Sequence, residues 1–191
     1  MESAAREPEH TAPSGRGLHP RAVERGPVGQ RRFREAMSLF PTGVTLLTTR
    51  AVDGTDHGMT VNSFTSVSLD PVLVLVSVEH ASRLHDAVLG SGLWGVSVLG
   101  EDAEHLSRRF ARRGHDTTHA LAEMPHHRGR RTGALLLDSA LATFECRTRG
   151  AHPGGDHTVL VGEVLALATP SPQTPPLVWY RGRYVRIADA G

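Results

Sequence analysis

The sequence predicts a mainly β fold, a small antiparallel barrel with short helices at its periphery, and three observations carry that expectation. About seven β-branched or alternating runs are spaced by Gly, Pro and Asp-Gly turn signals, as in small barrels. Only short segments show helical periodicity, and no Gly-rich phosphate fingerprint follows any strand. A doubly wound α/β fold is the rival, because Val72–Val78, a following helix and Trp94–Leu99 could form one right-handed βαβ unit. One such unit without the fingerprint does not make that fold.

Taken in order, residues 1–29 are rich in Pro, Gly, Glu and Arg and poor in large apolar groups, so they read as a disordered tail preceding one domain over residues 30–188. Phe33, Ala36, Met37 and Phe40 recur at i, i+3, i+4 and i+7, the stripe of a short amphipathic helix closed by Pro41 and Gly43. Val44–Thr49, ending at Asp53-Gly54, and the β-rich run Met59–Leu69 read as a hairpin. Val72–Val78 is apolar on both faces apart from Ser77, which places it centrally.

Helices are expected over Ala81–Leu89 and Asp102–Arg113, with a strand at Trp94–Leu99 between them. Residues 114–134 are polar and irregular and read as a long surface loop of the kind that covers sites. Ala142, Phe144 and Cys146 alternate with polar residues in a half-buried strand, and Thr158–Ala168 is a long strand whose Gly162 signals a bulge or close approach. Leu177–Ile187 gives a last hairpin turning at Arg181-Gly182.

Composition excludes several function classes. A net charge of +1 with mixed signs leaves no electrostatic footprint for nucleic acid or an anionic membrane. The single cysteine, Cys146, rules out an internal disulfide or a cysteine zinc cluster and fits a reducing compartment. No apolar run approaches the roughly 20 residues of a membrane helix, and no apolar signal stretch opens the chain. The expectation is a cytoplasmic protein. Arg supplies every basic residue, and Asn62 is the sole asparagine, a pattern of GC-rich coding. His115, His119, His126 and His127 lack a carboxylate–histidine helix motif, so a solvated loop is favoured over a metal site. Ser139 and Cys146 lack a paired base or nucleophile elbow, which leaves hydrolase chemistry unsupported.

Small polar groups are densest in Gly58-Met59-Thr60-Val61-Asn62-Ser63-Phe64-Thr65-Ser66-Val67-Ser68, where hydroxyls and an amide alternate with apolar side chains. On a strand this puts donors on one face, either as an ordinary half-buried surface or as one suited to a ligand rich in carbonyl, ring-nitrogen and phosphate acceptors. The blocks FREAMSLFPTGVTLLTT, HGMTVNSFTSVSLDPVLVLVSV, LSRRFA, GDHTVLVGEV and PLVWYRGRYVRI, in this order, resemble the flavin reductase-like family, above all reductase components of two-component flavin monooxygenases.

The resemblance spans about Phe33 to Ile187 and implies the FMN-binding split barrel, a homodimer, and hydride transfer from NADH or NADPH to FMN or FAD. It implies that Pro41 and Thr42 approach the flavin ring, that Thr60, Val61, Asn62 and Ser63 contact its edge and ribityl chain, and that Ser77 and Val78 lie on the next strand. Ser82 and Arg83 match the Ser-Arg pair beside the flavin phosphate, where an Arg gives charge-assisted bonds. Leu84 stands where members often have Thr, and FMN and FAD both remain open. Arg109 and Phe110 occupy the arginine–phenylalanine block that borders the ring or the adenine side of a larger cofactor. His157 matches a histidine near flavin and nicotinamide, whereas the residues alone favour a turn histidine held by Asp156. Tyr184 is expected to close the site.

The functional expectation is therefore a reductase that supplies diffusible reduced flavin to a partner monooxygenase. The alternative is a split-barrel flavoprotein holding FMN tightly as carrier, sensor or oxidoreductase on another substrate.

Overall fold

The computed structural model describes residues 27–112, 118–170 and 173–187, so most of the expected tail lies outside the described residues. Helix α1 (Gln30–Met37) leads into strand β1 (Thr42–Gly43), then β2 (Thr45–Arg50), β3 (Asp56–Val61), β4 (Thr65–Leu69) and β5 (Val72–Glu79). Helix α2 (Arg83–Ser91), β6 (Leu93–Val98), a 3-10 turn (Glu101–Ala103), α3 (Glu104–Phe110) and α4 (Thr118–Ala122) follow. The chain continues through β7 (His126–Arg128), β8 (Leu135–Leu137), β9 (Ala142–Gly154), β10 (His157–Ala168), β11 (Val178–Tyr180) and β12 (Arg183–Val185).

Seven strands form one sheet in the order β3-β2-β6-β9-β10-β5-β4, and every pairing in it is antiparallel. The antiparallel ladder removes the α/β rival, since β5 and β6 run in opposite directions and are separated by β9 and β10. The two end strands, β3 and β4, are joined by Asn62, Ser63 and Phe64 alone. A chain reaches at most about 3.6 Å per residue, so this link forces the two edges together and curls the sheet into a barrel. At the seam the Ser63 hydroxyl acts as a missing rung. The Ser77 amide donates to Ser63 Oγ (2.9 Å), and the Ser63 hydroxyl donates to the Ser77 carbonyl (3.2 Å).

Two cores lie on opposite sides of this wall. The barrel interior is filled by Leu47, Val61, Val74, Val76, Val78, Trp94, Val96, Cys146 and Leu160, with Leu84 and Val88 of α2 packed among them. The second core, outside the wall, joins Leu46 and Leu99 to Phe110, Leu121, Met124, Leu135, Leu137 and Leu177. Strand β2 serves both, which is why its residues through Thr49 are buried on either face. Gly162 fulfils the close approach read from its strand. A Cβ there would lie 2.9 Å from Cη2 of Trp94, whose indole N–H donates to Thr148 Oγ1 (3.1 Å). The hairpin at Arg181-Gly182 is also as expected, with both residues at positive φ (51° and 74°), the geometry of a type I′ turn.

Four expectations are corrected. Met59–Leu69 is not one strand but two strands at opposite ends of the sheet, because Asn62–Phe64 leave the ladder to cross the seam. Strand β5 is next to the sheet's end rather than central. Its Val74, Val76 and Val78 are sealed inside, while Leu73, Leu75 and Ser77 face outward half-buried. Residues 118–134 are not an irregular loop: Ala120, Leu121 and Met124 bury against the outer core, and Leu121 packs where Gly58 has no Cβ. Residues 114–117 lie outside the described residues. Finally, the strand segment 142–147 is not half-buried with its polar side outward: Thr143 and Glu145 are buried, Glu145 accepting from the Arg131 and Thr132 amides and the Thr132 hydroxyl. Helix α1 forms as expected, and it has no buried residue.

Cys146 sits fully enclosed in the barrel interior, and burial pushes its thiol up to about 12. The thiolate is the reactive form, so the native protein should resist maleimide at neutral pH and label within minutes once denatured. Native labelling as fast as that of a free thiol would show that the interior opens.

Candidate functional site

The barrel seam opens into a groove of about 960 Å³ lined by α1, β1, the Asn62–Thr65 link and Trp179 of β11. Pro41, Thr42, Asn62 and Ser63, expected from sequence as flavin contacts, are brought together here. Asn62 is exposed, and its amide has no side-chain partner among the described residues. Next to the groove, sharing Asn62 and Trp179 with it, lies a pocket of about 150 Å³ that also takes in Thr60, Val61, Ser107 and Tyr184. Hydrogen bonds link its polar members: the Thr60 hydroxyl donates to the Ser107 carbonyl (3.2 Å), and Ser107 Oγ pairs with the Tyr184 hydroxyl (2.7 Å). Tyr184 is held further by Trp179, edge-on at 4.7 Å, and by the Arg108 guanidinium 4.9 Å from its ring centre.

A second strip runs over the outer face of β5 and β10. Register pairs share a face of the sheet, so Ser77 sits beside Val159 and Glu79 beside His157. The Ser63–Ser77 bonds tie this strip to the groove. At its end α2 begins: Ser82 occupies the N-cap position without making a capping bond, and Arg83 is exposed with no carboxylate partner among the described residues. His157 follows a tight turn at Gly155 (φ 70°), and its Nδ1 meets Asp156 Oδ1 at 2.7 Å. That bond holds the Asp156 carboxyl below its ordinary range and leaves Nε2 of His157 uncommitted among the described residues.

Not every expected contact is available. Val61 and Val78 point into the barrel interior, so only their backbones can face a ligand. Phe110 is buried in the outer core, and Arg109 is paired with Glu123 at 2.8 Å. Sequence reasoning missed Trp179, which borders both cavities, although it stands inside the PLVWYRGRYVRI block; it read Phe33, Met37 and Phe40 only as an amphipathic stripe and not as groove-lining residues. His126 and His127 are engaged by the Met124 carbonyl (2.6 Å) and Asp138 (2.7 Å), and the described residues contain no cluster of three metal-ligating side chains.

Two buried hydroxyl oxygens, Thr42 Oγ1 and Ser82 Oγ, have no hydrogen-bond partner among the described residues. Such an orphan costs about 1–3 kcal/mol unless something outside the fold satisfies it. Both lie where the flavin-binding resemblance expects ligand atoms, Thr42 by the ring and Ser82 by the phosphate. The residues present therefore fit a flavin mononucleotide unit.

The fold and these cavities define a small antiparallel barrel with a nucleotide-sized groove at its seam. Residues 37–188 match the family model described as flavin reductase like domain, and the chain belongs to that family. The NADH-dependent flavin reductase StyB of Pseudomonas fluorescens is 39% identical over 153 residues, covering 80% of this chain and 86% of that protein. The NADH-dependent FMN reductase AsuE2 of Streptomyces nodosus subsp. asukaensis is 40% identical over 170 residues, covering 84% and 86%. Among solved structures, BorF, the flavin reductase component of a bacterial two-component tryptophan halogenase, superposes with a TM-score of 0.78 at 39% identity, over 84% of this chain and 99% of that one. The NADH:FAD oxidoreductase SgcE6 of Streptomyces globisporus, solved with NAD and FAD fragments, gives 0.77 at 35% identity, over 84% and 94%.

Proposed function

We propose that this protein is an NADH-dependent flavin reductase that reduces diffusible flavin and releases it to a partner monooxygenase. The observation that carries the reading is the pair of orphaned hydroxyls, Thr42 and Ser82, within a family whose relatives StyB and AsuE2 are named NADH-dependent reductases. When bound, the flavin ring supplies N5 as acceptor of the hydride from nicotinamide C4. The chain's own residues contribute position rather than acid–base chemistry. Thr42 and the Asn62 amide hold the ring at the seam, the backbones of Val61 and Val78 flank it, and Ser82 with Arg83 take the phosphate. His157, oriented by Asp156, offers Nε2 toward the nicotinamide side, and Tyr184, fixed by Ser107, walls the small pocket.

The partner is inferred from relatives such as BorF and the reductase subunit HsaB of a flavin-dependent monooxygenase from Rhodococcus jostii, 36% identical over 168 residues. Homodimer formation is inferred from the family resemblance, and the exposed apolar side chains at Leu39, Val67, Leu69 and Ile187 are available to such an interface. Cytoplasmic location is inferred from a chain whose single cysteine allows no internal disulfide. Anaerobic rapid mixing of the protein with NADH and FMN tests the reading. Loss of the oxidised-flavin absorbance, one flavin per NADH and accelerated at least a hundredfold over the protein-free reaction, is expected; no acceleration refutes it.

A further inference from the structure

Of the residues lining the seam groove, Arg34 of α1 is the sole charged one among those described. Its guanidinium has no carboxylate partner among the described residues. Phe33, Met37, Phe40 and Trp179 line the same cavity as Arg34. The helix carrying it buries nothing in the protein, and its C-terminal end is tied down where the Arg181 amide donates to the Ser38 carbonyl (2.8 Å). An unpaired guanidinium among aromatic and apolar walls matches a ligand that carries phosphate next to a flat ring system. Arg83, the cation assigned to the flavin phosphate, does not line this groove. At about 960 Å³ the groove lies at the upper end of ligand pockets, which run to roughly 1,000 Å³, and has room beyond a single flavin ring.

We propose that Arg34 binds the pyrophosphate of the nicotinamide dinucleotide, with the adenine half of that substrate lying against Phe33 and Phe40 of the α1 segment. The protein thus holds two phosphate positions for two substrates, Arg83 for the flavin and Arg34 for the hydride donor. This inference rests on the reductase reading above. Charge complementarity selects the occupant, since a wholly apolar partner surface would leave Arg34 buried and unpaired.

The test compares donors and acceptors that differ only in phosphate. Wild-type protein is first assayed with NADH and with reduced nicotinamide riboside, which has no phosphate, using FMN and riboflavin as acceptors. Turnover of neither donor with either flavin refutes the reductase reading itself. Given turnover, Arg34→Gln should lower the preference for NADH over the riboside about tenfold, the size of one lost charge-assisted bond, while Arg34→Lys keeps most of it. Arg83→Gln should instead lower the preference for FMN over riboflavin. Arg34 is on an exposed helix, so the variants should keep the wild-type circular dichroism spectrum. The proposal is overturned if Arg34→Gln leaves the donor preference unchanged, if it shifts the flavin preference in its place, or if it changes the oligomeric state without changing either.

Discussion

Replacing Gly162 with alanine is expected to destabilise the protein by about 3 kcal/mol, at the upper end of ordinary overpacking costs. The new methyl would overlap Cζ2 of Trp94 and stand 2.9 Å from Cη2. The indole cannot retreat, because it is fully buried and its N–H is committed to Thr148. Strand β10 is equally fixed, paired on one side with β5 and on the other with β9, where the register already shifts between Val161 and Gly162. For a chain of this length the loss corresponds to a fall in Tm of about 6–12 °C. Differential scanning calorimetry reads it, and Trp94→Leu in the Gly162→Ala background should recover part of the loss, since neighbouring substitutions are coupled. A Gly162→Ala protein as stable as wild type would show that the wall is not packed as described.

The second large effect has opposite signs in the free and bound protein. Ser82→Ala and Thr42→Val each remove a buried hydroxyl that has no partner within the fold. Substituting an N-cap serine ordinarily costs a helix about 1 kcal/mol, but Ser82 makes no capping bond here, so that penalty is absent. The flavin-free variants should therefore be more stable by about 1 kcal/mol each, a rise in Tm of about 2–4 °C. Flavin affinity should fall about tenfold for each, read by quenching of flavin fluorescence. A purely structural role predicts lower stability with affinity unchanged, and that result would remove these hydroxyls from the site.

What was legible in the sequence divides along physical lines. Local signals held at the close approach of Gly162 and at the Arg181-Gly182 turn, each of which depends on a few neighbouring residues. The alternation around Phe144 and Cys146 did not give the burial, because Thr143 and Glu145 are buried by chain distant in sequence. The seam was not legible. Asn62, Ser63 and Phe64 continue a β-like pattern, and only the strand order of the whole sheet shows that they cross from one edge to the other. The polar character of residues 114–134 likewise hid α4, because Ala120, Leu121 and Met124 gain their meaning from the bare backbone of Gly58, which is distant in sequence. For the site, ordered motif blocks named Thr42, Asn62 and Ser63, which meet in the groove. They could not show that the Ser63 hydroxyl is engaged by Ser77, nor that Phe110 is buried in the outer core. The stripe of α1 was visible as a stripe, but periodicity cannot tell a face that packs on a core from one that lines a groove.

The central claim is that flavin is a diffusible substrate that binds in oxidised form, accepts the hydride and leaves reduced. Steady-state NADH oxidation by purified protein, followed by nicotinamide absorbance with FMN varied from none to excess, tests it most directly. The account predicts turnover that requires added flavin, saturates with its concentration, and passes many equivalents per protein. A yellow protein that retains its flavin and shows no dependence on added flavin would contradict it.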